Sequence, residues 1–433
     1  MERPLRRLYS RDKPINTMSS KPAFMTQALA ALRMAPPRMN AVRYGLWARC
    51  APGAIMRVLH LFANYRWTGP AEPALNLCVA LRELGVEADF ACNPYLPPGG
   101  NKLVETARDR GVEPIDSLRL HKHAHPLKNW LDKRALGALL DAQHYDLIHC
   151  HMDNDHRIAL GPAQRLGIPV VRSSYHGEGF SLPRRHGPLL KATRFVIEPS
   201  QRALDHDCTI YRLPLERLRV IPNAIDTERF DPVRELPDGR KRLNIPADAF
   251  LIGIVARMQT HRRYEDFWGA IETVTREHPN ARVVVIGRGT KQDSVGMQPV
   301  RERKLEDKVH FSGYLTGDDY DGMLRALDVK VYLVPGSDGT CRAVREAMAL
   351  ARPVITSNRG MLGEIVDHGV NGFVTDGSPV ALAQRLGELA SDRALARRLG
   401  QAARSKAESE FALPVQARRV REVYELVVES GRI

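Results

Sequence analysis

The chain has no run of the roughly 18 apolar residues that a bilayer-spanning helix needs, so it does not read as an integral membrane protein. It is poor in paired cysteine. Cys50, Cys78, Cys92, Cys150, Cys208 and Cys341 are scattered through 433 residues with no close pair or CxxC. Neither a zinc site nor a disulfide framework is indicated, and a reducing cytosol is the simplest home. Gly-x-Ser-x-Gly and Walker sequences are also missing, which sets aside the corresponding hydrolases and P-loop enzymes. What remains is ordinary globular material, 43% hydrophobic and 26% charged. Its length exceeds one core and suits two α/β domains.

Acidic residues are scarce in one place. Residues 1–55 hold ten Lys/Arg against two Asp/Glu, which accounts for +8 of the net +14. The remainder is only mildly basic, and no nucleic-acid module is recognisable, so nucleic acid is not expected as a partner. Mild basicity suits anionic lipid headgroups or a phosphorylated acceptor equally well. The first 55 residues are proline-interrupted, lack sustained periodicity apart from a helical run at 23–34, and carry no apolar signal core. They are expected to be a largely disordered extension, with Met56 as the natural start because a strand begins there.

From Met56 onward, short apolar and β-branched runs alternate with helical stretches, the pattern of parallel sheets covered on both faces. Strands are expected at 57–63, 87–92, 146–151, 170–175, 195–198 and 219–222, with helices at 73–84 and 134–143. A polar, proline-bearing stretch at 227–248 reads as a linker. The alternation restarts with strands at 251–256, 282–286, 309–311, 329–334 and 353–356. Helices at 379–390, 393–409 and 414–429 end the chain. The expected domains are 56–226 and 249–413, each doubly wound, with 414–433 a final helix placed to pack back on the first.

The stretch from Pro335 to Ala349 leaves a strand, passes through a small-residue turn and opens a helix. Such a helix start presents unpaired N–H groups and a positive dipole end, so Gly339, Thr340, Cys341 and Arg342 suit a phosphate or sugar oxygen. Asp338 and Glu346 lie eight positions apart at the two ends of this turn. Carboxylates there can accept hydrogen bonds from paired sugar hydroxyls, although Asp338 could equally be an N-cap.

This stretch resembles glycosyltransferase family 4, marked by two glutamates at that spacing, then Ala-Met-Ala and a Pro-Val strand; Glu346-Ala347-Met348-Ala349 and Pro353-Val354 match. The chain departs by having Asp338 in place of the first Glu, which bears on sugar specificity. The family's diphosphate-binding Arg and Lys fall on Arg257 and Arg262. Cations are needed there because the leaving diphosphate gains charge as the glycosidic bond breaks. Gly287, within Val285-Ile286-Gly287, and Tyr314-Leu315 look like the strand ends bordering the nucleobase. Trp67-Thr68-Gly69-Pro70 stands where the family has a glycine-rich loop. The family's active-site histidine, second in a His-x-His, falls on His151. Alternation puts His149 and His151 on one side, but the strand end favours His151 as the one facing the cleft. His176, after the next strand, is a candidate for the acceptor side.

The resemblance implies a GT-B fold, two Rossmann-like doubly wound domains facing a central cleft. It also implies retaining, metal-independent transfer from a nucleotide sugar, with UDP the preferred carrier, to a glycan or lipid-linked acceptor in surface polysaccharide or lipopolysaccharide synthesis. No cofactor is expected. Asp318-Asp319 opens a helix and reads as capping, and His121, His123 and His125 lack a carboxylate to complete a metal site. Two rivals stay open: an inverting transferase with Asp153 or His151 as base, and a silent nucleotide-sugar-binding or scaffold protein. Arg184, Arg185, Lys191 and Arg194 around Leu189-Leu190, and the basic run 119–134, could hold a cytoplasmic enzyme at the inner membrane face. A solvated basic face explains them as well.

Overall fold

A computed structural model describes residues 55–335 and 341–430. The expected disorder of residues 1–55 therefore falls outside the described residues except at its last position, as do Asp338, Gly339 and Thr340.

The first lobe is a six-stranded parallel sheet of β1 (Arg57–Phe62), β2 (Glu87–Cys92), β3 (Leu147–Cys150), β4 (Val170–Ser173), β5 (Phe195–Glu198) and β6 (Leu218–Val220), in the order β2-β1-β3-β4-β5-β6. The helices between are α1 (Ala71–Glu83), α2 (Lys102–Asp109), α3 (Pro126–Ala142), α4 (Asp153–Leu166), α5 (Pro183–Lys191) and α6 (Gln201–Tyr211). The second lobe repeats the plan with β7 (Phe250–Val255), β8 (Ala281–Ile286), β9 (Val309–Gly313), β10 (Val329–Tyr332), β11 (Val354–Ser357) and β12 (Gly372–Thr375), ordered β12-β11-β10-β7-β8-β9. Its helices are α7 (Gly239–Arg242), α8 (Tyr264–Glu277), α9 (Gln298–Glu302), α10 (Gly317–Arg325), α11 (Arg342–Ala349), α12 (Leu362–Ile365), α13 (Pro379–Ser391), α14 (Arg393–Glu410) and α15 (Leu413–Ser430). No described helix is long and apolar enough to cross a membrane.

The doubly wound reading holds because central strands such as Val283-Val284-Val285-Ile286 are buried on both faces, which only helices on both sides of a sheet provide. Local capping agrees with it: the side chains of Asn101, Ser200 and Ser378 accept N–H bonds at the starts of α2, α6 and α13. Each sheet reverses its strand order beside its first strand, between β1 and β3 and between β7 and β10. Loops leaving the carboxyl ends of those strands diverge there and leave a crevice.

Three sequence expectations need adjustment. The edge strand β12 was not foreseen, since four residues beginning with Gly carry too little alternation to register. Helix α3 starts at Pro126, eight residues earlier than expected, with Pro at its first position. Residues 227–248 are not a free linker: Phe230 and Ile245 are buried in the second lobe's core and α7 forms within the stretch.

The last helix crosses back to the first lobe. Ala417, Val420, Val423, Tyr424 and Val427 of α15 join the core that α1 and β1 build. The Tyr424 hydroxyl meets His149 Nδ1 at 2.5 Å inside the sheet. Tyr424→Ala is expected to cost about 3–5 kcal/mol, the usual range for deleting a buried aromatic. Tyr424→Phe, which only strands the imidazole nitrogen, should cost about 1–3 kcal/mol. Urea denaturation of the two variants checks both.

Candidate active site

The carboxyl ends of β10, β7, β8 and β9 lie side by side, and the residues that follow them border two adjoining cavities of about 540 and 690 Å³. Both are of the size that holds a substrate-sized ligand. They share Val255, Arg257, Tyr314, Leu315 and Tyr320. Arg257 stands exposed just beyond β7. Gly287 leaves β8 at φ 135°, and a Cβ there would lie 2.7 Å from the Ala256 carbonyl oxygen, so only glycine lets the two strand-end loops approach so closely. Tyr314 is 66% exposed with the Arg288 guanidinium 5.1 Å from its ring centroid, whereas Leu315 is buried beneath it.

Arg262 also borders the smaller cavity, but part of its guanidinium is committed: Nη1 donates to the Val334 and Pro335 carbonyls at 3.2 and 2.7 Å. It thereby fixes the backbone at Val334 and Pro335. Glu346, on α11 and only 4% exposed, accepts the Tyr320 hydroxyl at 2.6 Å and pairs with Arg342 at 3.0 Å. Burial, then the Glu346 carboxylate, pushes the Tyr320 phenol well above its ordinary range, so it stays a donor. For Cys341 the expectation concerned its backbone N–H; its side chain points elsewhere. It is fully buried in the second lobe's core at φ 52°, because α11 begins with that residue turned inward. Asp318 and Asp319 do not cap α10 with their side chains; they pair with Arg234 and Arg242.

Sequence reasoning missed Glu72. It sits on α1 beside the switch point of the first sheet and reaches across the cleft, with Arg342 at 2.5 Å and Arg229 at 3.7 Å. Arg229 in turn makes a two-pronged pair with the buried Asp321, at 2.9 Å on each prong. Acidic and basic groups thus alternate from Glu346 through Arg342, Glu72 and Arg229 to Asp321. Gly69 serves the turn before α1, where the Ala71 N–H donates to the Thr68 carbonyl at 2.9 Å. Its neighbours Trp67 and Glu72 are the ones that line the cavity.

His151 does not face the cleft. It is wholly buried, with Nε2 3.0 Å from His60 Nδ1 and Nδ1 2.8 Å from the Tyr175 hydroxyl. His149 is equally enclosed, between Tyr424 and Ser173. The strand-end argument failed because side chains from β1, from just beyond β4 and from α15 pack around the two rings. The three histidines lie close enough to resemble a metal cluster, yet these hydrogen bonds engage both nitrogens of His149 and His151. Burial drives His60 down to about 3 and the other two well below the ordinary value. His176 is exposed on the loop after β4, away from both cavities. Below it, burial would raise the Asp153 carboxyl, but His186 at 3.2 Å and the buried Arg172 at 3.3 Å hold it well under the usual carboxylate range.

Two family models match the chain: the Glycosyltransferase Family 4 model over residues 68–229 and the Glycosyl transferases group 1 model over residues 237–406. The chain is a family 4-like glycosyltransferase. This transferase is 27% identical over 297 residues to an uncharacterized glycosyltransferase of Methanocaldococcus jannaschii, covering 65% of the chain and 75% of that relative. It is 23% identical over 259 residues to the UDP-Gal:alpha-D-GlcNAc-diphosphoundecaprenol alpha-1,3-galactosyltransferase of Escherichia coli, covering 56% and 65%. The Anabaena HepE structure with UDP and glucose superposes with a TM-score of 0.67 over 86% of this chain and all of that one; at 18% identity the likeness is one of fold. The fold is therefore GT-B.

In this transferase the cross-cleft carboxylate is testable. Glu72→Gln is expected to lower stability by about 2 kcal/mol, between the values for exposed and buried ion pairs because Arg342 and Arg229 are each about a third exposed. Chemical denaturation measures it, and an unchanged midpoint would show that the contact carries no weight.

The buried histidines also set a pH dependence. His60, His149, His151 and His156 all have folded values below the unfolded value. The unfolded chain therefore binds more protons, and their contribution, complete above about pH 6.5, is lost as pH falls. Buried Asp155 and Glu198 have raised values and act in the opposite sense. Fewer groups oppose than favour, so the melting temperature should fall from pH 7 to pH 5; a flat profile would mean that the histidines protonate in place.

Proposed function

We propose that this glycosyltransferase takes a sugar from a UDP-sugar bound against the second lobe and passes it, with retention and without a metal, to a glycan or lipid-linked acceptor entering from the first. The observation that carries the reading is the convergence of Arg257, Arg262 and Glu346 on one cavity whose floor is the carboxyl edge of a parallel sheet. The two guanidiniums supply the counter-charge for the departing diphosphate, and Arg262, held by two backbone carbonyls, needs little reorganisation. Glu346 is the acceptor for sugar hydroxyls, held in aim by Tyr320 and Arg342. Gly287 gives the nucleoside a flat wall, and Tyr314 offers a ring for the base to stack on.

Retention is supported from the first lobe. An inverting mechanism needs a base titrating near neutrality. Asp153 is held far too acidic by Arg172 and His186, and His151 is sealed inside the sheet. In the retaining mode a donor phosphate oxygen takes the acceptor proton as the acceptor attacks from the leaving-group face, so neither group is required. The E. coli relative's lipid-diphosphate acceptor supports surface polysaccharide synthesis as the setting.

A thermal-shift panel of UDP-, GDP- and ADP-sugars should show the largest rise with a UDP-sugar, because a ligand that binds only folded protein raises its melting temperature. Arg257→Ala should then lower kcat by roughly a hundredfold, as for removal of one oxyanion donor, and Glu346→Ala should abolish the shift. A β-product from an α-donor, read by NMR, would overturn retention.

A further inference from the structure

Helix α3 buries one face in the first lobe and leaves an apolar stripe on the other. Asn129, Asp132, Leu136, Gly137 and Leu140 turn inward at helical spacing and are buried against α4 and the sheet. On the outer side Leu127, Trp130 and Leu131 are 61%, 52% and 51% exposed. Positions i, i+3 and i+4 share a face, so these three make one stripe, where an ordinary surface helix is polar. Arg134 continues the stripe one turn on, its guanidinium 5.0 Å from the Trp130 ring centroid.

The charge around the stripe has one sign. Arg119, Lys122, Lys128, Lys133 and Arg134 are exposed, and the one carboxylate in this stretch, Asp132, points inward to accept the Arg119 N–H at 2.8 Å. A second patch of the same kind lies nearby: Leu182, 48% exposed, with exposed Arg184 and Arg185 at the start of α5. Both elements are tied to the first turn of α4. Asn154 donates to the His121 carbonyl at 2.7 Å and accepts from Asn129 at 2.8 Å, while Asp153 meets His186 at 3.2 Å and Arg185 at 4.0 Å. The two patches therefore border the same carboxyl edge of the first sheet.

We propose that the outer face of α3, with the start of α5, is a docking surface for an anionic lipid bilayer. Leucines and a tryptophan enter the headgroup boundary while the lysines and arginines around them meet lipid phosphates. A second copy of the chain is the poorer occupant, because pairing two such faces would set cation against cation. The inference does not depend on the donor or the acceptor.

Co-sedimentation of the full chain with phosphatidylcholine vesicles, with and without phosphatidylglycerol, tests it. Binding is expected only with the anionic lipid and should weaken with salt. Because residues 1–55 carry their own excess of cations, variants of the exposed residues decide the matter. Trp130→Ser with Leu131→Ser, and separately Lys128→Glu with Lys133→Glu, should each lower vesicle binding at least about tenfold, leaving the melting temperature and its shift by UDP-sugar unchanged. Absence of wild-type binding, or variants that sediment as well as wild type, would overturn the proposal. So would a wild-type dimer, seen by light scattering, that the Trp130 and Leu131 substitutions dissociate without changing vesicle binding.

Discussion

The carboxylate of Glu72 lies between two guanidiniums of the opposite lobe, and much of the cleft's arrangement follows from that contact. Its position comes from topology: α1 begins where the first sheet reverses its strand order, so the side chain at the start of that helix is carried into the crevice. Arg342 occupies the matching place in the second lobe, at the start of α11 beside the reversal there. Two such reversals, facing one another, bring the first turns of two helices together. Glu346 is then fixed one helical turn beyond Arg342, with Tyr320 of α10 closing the other side of its carboxylate.

Much of this was legible in the sequence, and what was missed has physical reasons. Long β-branched strands followed by amphipathic helices announce themselves through periodicity, so both sheets were readable, as were the strand ends carrying Arg257, Gly287, Tyr314 and Leu315. Residue order within a strand is less informative. His149 and His151 share a face, and nothing in a period of two says that a neighbouring strand and a returning helix will bury both. Tyr424 supplies that cover for His149 from a point remote in sequence, which only tertiary structure reveals.

Glu72 and Tyr320 were missed for another reason. Each stands in a helix start where acidic and polar residues are expected for capping, so local rules already explained the stretch and hid its longer reach. Asp318-Asp319-Tyr320-Asp321 shows the overlap within one turn: its three acids meet arginines of the 227–248 segment, Asp318 with Arg234, Asp319 with Arg242 and Asp321 with Arg229, and the tyrosine serves Glu346. The arginines in that segment are also why it packs as part of the second lobe, since a polar stretch with buried partners for its charges has no reason to stay loose.

The charge balance of the cleft sets a limit on what it can hold. Among the described residues, Lys102, Arg110, Arg229, Arg257, Arg262 and Arg342 border the smaller cavity against Glu72 and Glu346. Cations gathered along one cleft repel one another, more strongly where they are partly buried, as Arg229, Arg262 and Arg342 are, than where solvent screens them. Glu72 relieves it where the lobes meet, through Arg342 and Arg229. Arg262 is steadied by two carbonyl oxygens, which orient it without cancelling its charge, and Arg257 stands exposed at the cavity edge. Among the described residues, the charge that no carboxylate meets is therefore concentrated beside the carboxyl ends of β7 and β10, where a dianionic group would relieve the repulsion and a neutral ligand of the same shape would leave it in place.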